Sequence, residues 1–222
     1  MIAASILIGI TLLLCLKLPS NSRISYVVCV GMHFFIAIIN VALGGQLIGA
    51  SADAQRFYRI AVEGSAGVSW KLIDLTNGIQ GFLNIHSVVQ HYGGPSFFLA
   101  HSVSLLGVGI TLLYLAGLWK QCGGNKEWLP KIFFFYTCIP SILLFQSYVL
   151  REVWQAACIL AVARIVLRLQ QRGLNPATFG QLLFFFIVGS LTHKAMPLMM
   201  LVEVLAIFFG HSLINKKYTS WV

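Results

Sequence analysis

Residues 147–172, SYVLREVWQAACILAVARIVLRLQQR, begin with an adjacent arginine and glutamate and continue as an apolar run. Near its end the run carries three arginines at every fourth residue: Arg164, Arg168 and Arg172. Such a basic stripe is typical of a cytoplasmic anchor at the end of a membrane span. From Arg151 to Arg164 a helix extends about 20 Å, at about 1.5 Å per residue. Arg151 and Glu152 are therefore predicted at the outward end, where topology does not require a charge.

The composition indicates an integral membrane protein. Of 222 residues, 58% are hydrophobic and 9% are charged, whereas an ordinary soluble domain is about 25% charged. Apolar runs recur along the whole chain, so residues 2–16 are predicted as a first span and not as a cleaved signal peptide. The net charge of +9 comes from residues that punctuate these runs. This pattern indicates topology signals and contacts with membrane lipids, and it argues against nucleic-acid binding.

The predicted fold is all-α: a single transmembrane domain, residues 1–222, built as a polytopic helix bundle of about seven spans. The spans are expected near residues 2–16, 26–48, 97–118, 129–149 and 152–168, followed by a longer apolar stretch at 179–210. That last stretch is interrupted by Thr192-His193-Lys194 and by Pro197, which favours a hairpin of two short helices. The five cysteines have no paired or CxxC spacing, so neither a disulfide framework nor a metal site is predicted.

The distribution of basic residues predicts the orientation of the spans. Lysines and arginines of the short connectors fall on one side, which is predicted to be cytoplasmic: Lys17, Arg23, Lys120, Lys126, Lys131, Arg164, Arg168, Arg172, Lys216 and Lys217. Residues 49–96 are then an outward, periplasmic or extracellular loop between the second and third spans. Ser51 can cap an interfacial helix over residues 52–62. Gly93-Gly94-Pro95 is expected to end the loop.

Two candidate site residues lie at the predicted outward ends of spans. Arg151 carries a planar fork of donors suited to a phosphate or diphosphate, and Gln155, one turn later, adds an amide donor. The alternative for Arg151 is an ion pair with Glu152 or snorkelling to the interface. His193 is a candidate general base, and either it or Lys194 is a candidate phosphate ligand. The alternative for His193 is a packing role.

The third candidate is residues 50–61, ASADAQRFYRIA. Here Asp53 is the candidate base that deprotonates an acceptor sugar hydroxyl, and Arg56 or Arg59 holds a lipid-linked phosphate. The alternative is a capped amphipathic helix with solvated charges. Three further histidines are interpreted as loop and packing residues, because their spacing matches no metal motif: His86, His91 and His101.

The order of these features resembles bacterial O-antigen and exopolysaccharide polymerases, a family of multi-span GT-C-like glycosyltransferases. The resemblance spans about residues 45–200 and rests on three elements. The first is an Asp-x-x-x-x-Tyr element at Asp53 and Tyr58. The others are residues 140–157, PSILLFQSYVLREVWQAA, and residues 191–198, LTHKAMPL, with a basic turn between them. The Leu-Arg-Glu opening and the histidine-containing hairpin are its most specific parts.

The resemblance implies glycosyl transfer between undecaprenyl-diphosphate-linked glycans on the outer face of the bacterial cytoplasmic membrane. It implies no nucleotide sugar, metal or other cofactor, and it assigns Arg151 and His193 to the site. Members of the family are longer and have more spans, so the chain is expected to be an N-terminal part, a short relative or an inactive partner.

Two other functions compete with the enzyme. One is transport or flipping of lipid-linked glycans, and the other is a non-catalytic membrane subunit that joins other proteins of envelope polysaccharide assembly. Glu203 distinguishes transport from polymerisation. A carboxyl group within the hydrocarbon region is expected to be essential for proton-coupled transport and nearly dispensable for polymerisation at the outer face.

Overall fold

The structure, a computed structural model, describes residues 2–44, 51–66, 78–173 and 175–219. Every regular element in these ranges is a helix. The α-helices are α1 (Ile2–Leu13), α2 (Ser20–Ala42), α3 (Ser51–Ala66), α4 (Gly78–Gly93), α5 (Phe97–Gln121), α6 (Leu129–Cys138), α7 (Pro140–Ser147), α8 (Glu152–Arg172), α9 (Pro176–Thr192) and α10 (Met196–Thr219). Two 3-10 turns, Leu14–Lys17 and Lys126–Trp128, follow α1 and precede α6.

Helix α5 is the centre of the bundle and packs against α1, α2, α4, α7 and α8. Two glycines make the close packing possible. A Cβ atom at Gly107 would lie 2.9 Å from Cγ1 of Val153 on α8, and one at Gly109 would overlap the hydroxyl of Tyr26 on α2. That hydroxyl is buried and donates a 2.8 Å hydrogen bond to the carbonyl of Thr11 on α1. The small residues of α5 therefore join four helices into one core.

Among the described helices, α2 and α5 are long and apolar enough to cross a membrane. The predicted span at residues 129–149 is instead two helices, α6 and α7, bent by 74° at a break. The break has a local cause, since Pro140 is the first residue of α7 and Ile139 is extended. Counting the bent pair as one span gives three candidate spans. Shorter apolar helices occur at Ile2–Lys17, Pro176–Thr192 and Met196–Gly210.

The predicted interfacial helix at residues 52–62 is confirmed as a helix within α3, and α4 follows it. The two helices pack together closely: a Cβ atom at Gly64 would lie 2.8 Å from the hydroxyl oxygen of Ser87. His91 Nδ1 also lies 3.0 Å from the carbonyl oxygen of Ser65, to which it donates. Helix α4, which was not predicted, ends at Gly93, the start of the Gly-Gly-Pro sequence that was expected to end the loop. Within the predicted loop, residues 49–50 and 67–77 lie outside the described ranges.

The predicted break in the last apolar stretch is also confirmed. Helix α9 ends at Thr192, and α10 begins at Met196. Both helices pack on α8 through a buried cluster that includes Cys158, Val162 and Met200. The end of α9 reaches α4, where a Cβ atom at Gly81 would lie 2.6 Å from the backbone carbonyl oxygen of Leu191.

The bundle has two chemically different ends. At the basic end, four cationic side chains line one cavity: Lys17, Lys120, Lys126 and Arg164. The four residues were predicted to lie on one side of the membrane, and their shared cavity places them at one end of the bundle. At the other end, called the α3–α4 end, Ala54 of α3 packs against Ala100 of α5 and residues 148–150. Ala100 and Lys120 are about 30 Å apart along α5, at about 1.5 Å per residue. The side chains of Arg172, Lys216 and Lys217 lie outside the described part of the chain.

Candidate functional site

Arg151 is held at the α3–α4 end by a short connection between two helices. Helix α7 ends at Ser147, the chain becomes extended at Tyr148, and α8 begins at Glu152. Residues 148–150 are buried and pack against α3. The backbone N–H of Leu150 donates to the carbonyl of Tyr148 at 2.8 Å, which closes a tight turn. The position of Arg151 is thus determined by a buried connection and not by a free loop.

Two buried histidines hold this connection at Ser147. His33 Nδ1 of α2 lies 2.8 Å from the Ser147 hydroxyl, and His101 Nδ1 of α5 donates to the Ser147 carbonyl at 2.7 Å. The Nε2 atom of His101 then accepts from the side-chain amide of Asn40 at 3.2 Å. A neutral imidazole satisfies both of these hydrogen bonds, because one nitrogen donates and the other accepts. The network ties α2 and α5 to the residue four positions before Arg151.

The Arg151 guanidinium is mostly buried but incompletely paired. Its side chain is 19% exposed, and its Nε atom lies 3.9 Å from a carboxylate oxygen of Glu152. This distance is too long for a hydrogen bond. Within the described residues, the buried Nε and Nη1 atoms have no hydrogen-bond partner. The structure thus contains the ion pair with Glu152 that was the alternative for Arg151, at a distance that leaves these two buried donors available for a charge-assisted hydrogen bond.

Helix α3 contributes to a groove of about 590 Å³ at the same end. Tyr58 and Arg59 line it together with Glu63, the end of α2 and the start of α5. The Tyr58 ring packs edge-to-face on Phe97, with centroids 5.0 Å apart, and burial raises the pKa of its hydroxyl. Asp53 and Arg56 do not line the groove, and both are exposed.

His193 lies in the break between α9 and α10. Its Nδ1 atom accepts a 3.0 Å hydrogen bond from the backbone N–H of Ala195, so the neutral ring carries its proton on Nε2. His193 is half-buried, and Lys194 beside it is exposed. The break lies beside α4, because Leu191 packs over Gly81.

The predicted site residues occupy the same end of the bundle but do not form one bonded constellation. In the described ranges, no hydrogen bond or ion pair joins Asp53, Arg151 and His193 to one another. Gln155 lies one turn after Arg151 on α8 and is half-buried; its backbone N–H donates to the Arg151 carbonyl at 3.0 Å. A substrate that engages all three residues would have to bridge them.

The residues that position Arg151 were missed by the sequence interpretation. His101 was assigned to packing, whereas it bonds the Ser147 carbonyl. A signal was present in the second span, where His33 and Asn40 are seven residues apart and so share one helix face. Buried polar residues inside an apolar run usually have partners or a function. His33 pairs with Ser147, 114 positions away, and Asn40 pairs with His101, 61 positions away. The pairings themselves could therefore not be read from the pattern.

His86 of α4 completes the buried group of histidines. It is 1% exposed, and its ring packs on Phe82 with centroids 4.5 Å apart. Burial lowers the pKa of His86 to about 4, and the nearby His101 adds to this effect. In the described part of the chain, no three or more His, Cys, Asp or Glu side chains are arranged to hold a metal ion. His33 and His101 thus hydrogen-bond to Ser147, whereas His86 packs on Phe82 without a hydrogen-bond partner among the described residues.

Comparison of the chain with protein-family models, with curated proteins and with solved structures finds no match. The class of protein follows from the fold: an all-helical chain in which two or three helices are able to span a membrane. Any more particular function is inferred from the geometry at the α3–α4 end.

Proposed function

We propose that the chain is a membrane glycosyltransferase that polymerises glycans linked to undecaprenyl diphosphate. The reaction would take place on the outer face of the bacterial cytoplasmic membrane, in a chain with about seven spans. The observation that carries the proposal is the Arg151 guanidinium, which is largely buried and has two nitrogen atoms without a hydrogen-bond partner among the described residues. Its planar fork matches the oxygens of a diphosphate.

The proposed reaction breaks the bond between the anomeric carbon of the donor glycan and its diphosphate oxygen. A hydroxyl oxygen of the acceptor glycan forms the new bond to that carbon, and the hydroxyl proton passes to a base. The departing diphosphate gains negative charge. A fixed cation beside it lowers the barrier, because charge that develops in the transition state is stabilised without reorganisation of solvent. Arg151 is assigned this role, and Gln155 supplies a further donor.

Different roles are proposed for Asp53 and His193. His193 uses its Nδ1 lone pair for the Ala195 N–H, so the neutral ring offers only an Nε2–H donor. It is therefore assigned to hold a phosphate oxygen, with Lys194 nearby. Asp53 is exposed on α3 and acts as the base that receives the hydroxyl proton.

The groove beside α3 suits an amphipathic substrate. Its lining includes apolar Val41, Val62 and Phe97 as well as charged Arg59 and Glu63. A lipid-linked oligosaccharide has both kinds of surface, so its glycan can contact the charged residues while its lipid contacts the apolar ones. Arg56, exposed one turn before Arg59, is assigned to the approaching phosphate. Membrane lipids and other proteins of envelope polysaccharide assembly are the remaining proposed partners.

The test replaces Arg151 by alanine in the organism that carries the gene. Disruption of the gene should leave glycans of one repeat unit and accumulate unpolymerised lipid-linked units. Loss of two charge-assisted hydrogen bonds, at about 1.5 kcal/mol or more each, should slow polymerisation about 100-fold or more. Gel electrophoresis of the glycan measures its chain length.

Arg168→Ala is the matched control. It removes the same side chain from the same helix, far from the α3–α4 end, and should leave the chain length unchanged at an equal amount of membrane-inserted protein. Long glycan from cells with Arg151→Ala would contradict the assignment of Arg151. Long glycan after disruption of the gene would contradict the proposed enzyme.

A second candidate function is the transport or flipping of lipid-linked glycans. The observation in its favour is Glu203, in the apolar part of α10. Its side chain is half-buried, and one carboxyl oxygen is buried without a hydrogen-bond partner in the described ranges. An ionisable group in such surroundings is often part of an ion or proton path.

A further inference from the structure

The basic end of the bundle contains a cavity of about 820 Å³ with four cationic side chains in its wall. They come from four different elements. Lys17 belongs to the turn after α1, Lys120 to the end of α5, Lys126 to the turn before α6, and Arg164 to α8. No Asp or Glu is among the described residues that line the cavity. The wall therefore carries four formal positive charges without a carboxylate.

Arg164 is built into this wall by a glycine. A methyl group at Gly117 of α5 would overlap the guanidinium carbon, so the arginine lies directly on the α5 backbone. The guanidinium carbon is 5.9 Å from the centroid of the Tyr114 ring. Its Nε atom is buried and has no hydrogen-bond partner in the described part of the chain. Arg164 is thus held in place and keeps an unused donor.

The rest of the wall is held by hydrogen bonds. Trp119 Nε1 donates to the Asn125 carbonyl at 2.8 Å, and the Gly124 N–H donates back to the Trp119 carbonyl at 2.9 Å. On the far side, the amide of Asn21 donates to the Lys126 carbonyl at 3.2 Å. These hydrogen bonds hold part of the wall in place, and a site held in this way loses little conformational entropy on binding.

Topology alone does not explain this arrangement. Residues that set orientation need only lie on the cytoplasmic side, where each can point separately into water or towards lipid head groups. Four cations around one cavity repel one another. Lys17, Lys120 and Lys126 are exposed, so water screens part of this repulsion, and the screening is weakest at half-buried Arg164. An anion in the cavity would remove this cost.

We infer that this cavity is a binding site for an anion with two phosphoryl groups, separate from the site at the α3–α4 end. Its volume lies within the range of about 300–1,000 Å³ that is usual for small-ligand sites. Two phosphoryl groups carry between two and four negative charges, which the four cations match. Two sources have this chemistry: an inner-leaflet lipid with two phosphates, such as cardiolipin, and a soluble diphosphate. Basic pockets between helices on the cytoplasmic side bind head groups of the former kind.

The test measures binding to the purified full chain in detergent, with cardiolipin and inorganic pyrophosphate as separate probes. Native mass spectrometry counts bound cardiolipin, and titration calorimetry follows pyrophosphate. Arg164→Gln should weaken binding of cardiolipin or pyrophosphate, whichever binds to the wild type, about tenfold or more, as expected for loss of a charge-assisted hydrogen bond. Gly117→Ala should weaken binding similarly, because the added methyl displaces the guanidinium while the net charge stays the same.

Lys131→Gln is the control for net charge, since Lys131 is exposed near the same end, lies over the Trp128 ring and does not line the cavity. The Lys131→Gln variant should bind both probes as the wild type does. If Arg164→Gln and Gly117→Ala reduce the amount of bound cardiolipin, the site binds the lipid. If they weaken pyrophosphate binding, the site binds a soluble diphosphate. If neither probe binds, or if Arg164→Gln and Lys131→Gln bind as the wild type does, the inference is wrong. Circular dichroism verifies the helical fold of each variant, and none of these outcomes depends on glycan polymerisation.

Discussion

Acidification should destabilise the fold through His86 on α4. The ring is 1% exposed and packs on Phe82, and both nitrogens lack a hydrogen-bond partner among the described residues. Burial lowers the pKa of His86 from 6.5 to about 4. The unfolded chain therefore binds a proton at His86 at a higher pH than the folded protein does. The perturbation that isolates this effect is His86→Phe, which keeps a ring of similar size and cannot be protonated.

The sign and size follow from proton linkage. Between pH 6.5 and 4 the unfolded state binds more protons at this residue than the folded state, so the free energy of unfolding falls as the pH falls. The contribution of neutral His86 to the free energy of unfolding is fully present above pH 6.5 and is lost by pH 4. The pKa difference corresponds to about 3 kcal/mol, at about 1.4 kcal/mol per unit. At pH 7 the phenylalanine variant should be no less stable than the wild type, because it buries no unpaired nitrogen.

The assay is reversible unfolding in mixed detergent micelles, followed by circular dichroism at pH 7 and pH 4. The loss of unfolding free energy between the two pH values should be smaller in His86→Phe than in the wild type by about 3 kcal/mol. His91→Phe, which replaces an exposed histidine of the same helix, should retain the wild-type loss. An equal loss in the wild type and in His86→Phe would refute the reasoning.

Two further predictions concern topology and the second candidate function. The topology is tested with a membrane-impermeant thiol reagent added outside intact cells. In a variant without native cysteines, a cysteine placed at exposed Ala52 should react, whereas in a variant that keeps only Cys122, that cysteine should not. The reverse result would overturn the outward assignment of the α3–α4 end. Glu203→Gln should lower glycan polymerisation less than about threefold, since it lies on α10 away from the groove, and complete loss of polymer would favour a transport function.

Several helix boundaries were predictable because their causes are local. The end of α4 at Gly93 follows from the Gly-Gly-Pro sequence, and the break after Thr192 follows from a polar triplet followed by Pro197. The bend at Pro140 had the same kind of signal, since proline cannot continue a preceding helix. It was missed because the apolar composition of residues 129–149 favoured one uninterrupted span.

The environment of Arg151 was only partly predictable. Its place at the start of a helix followed from the charge pattern. Its burial and the long distance to Glu152 did not, because they depend on how residues 148–150 pack against α3. The anchoring of Ser147 by His33 and His101 likewise joins residues 114 and 46 positions apart. Periodicity describes one helix at a time and says nothing of such pairings.

By itself, the sequence determined that the protein is helical and apolar, where several of its helices begin and end, and that lysines and arginines are concentrated between its apolar runs. These properties depend on composition and on neighbouring residues. Only the tertiary structure decided that Arg164 shares a cavity with Lys17, Lys120 and Lys126, and that Arg151 keeps unused donors. The physical reason is that burial and pairing depend on which helix faces meet, and here glycines such as Gly107 and Gly117 let those faces approach.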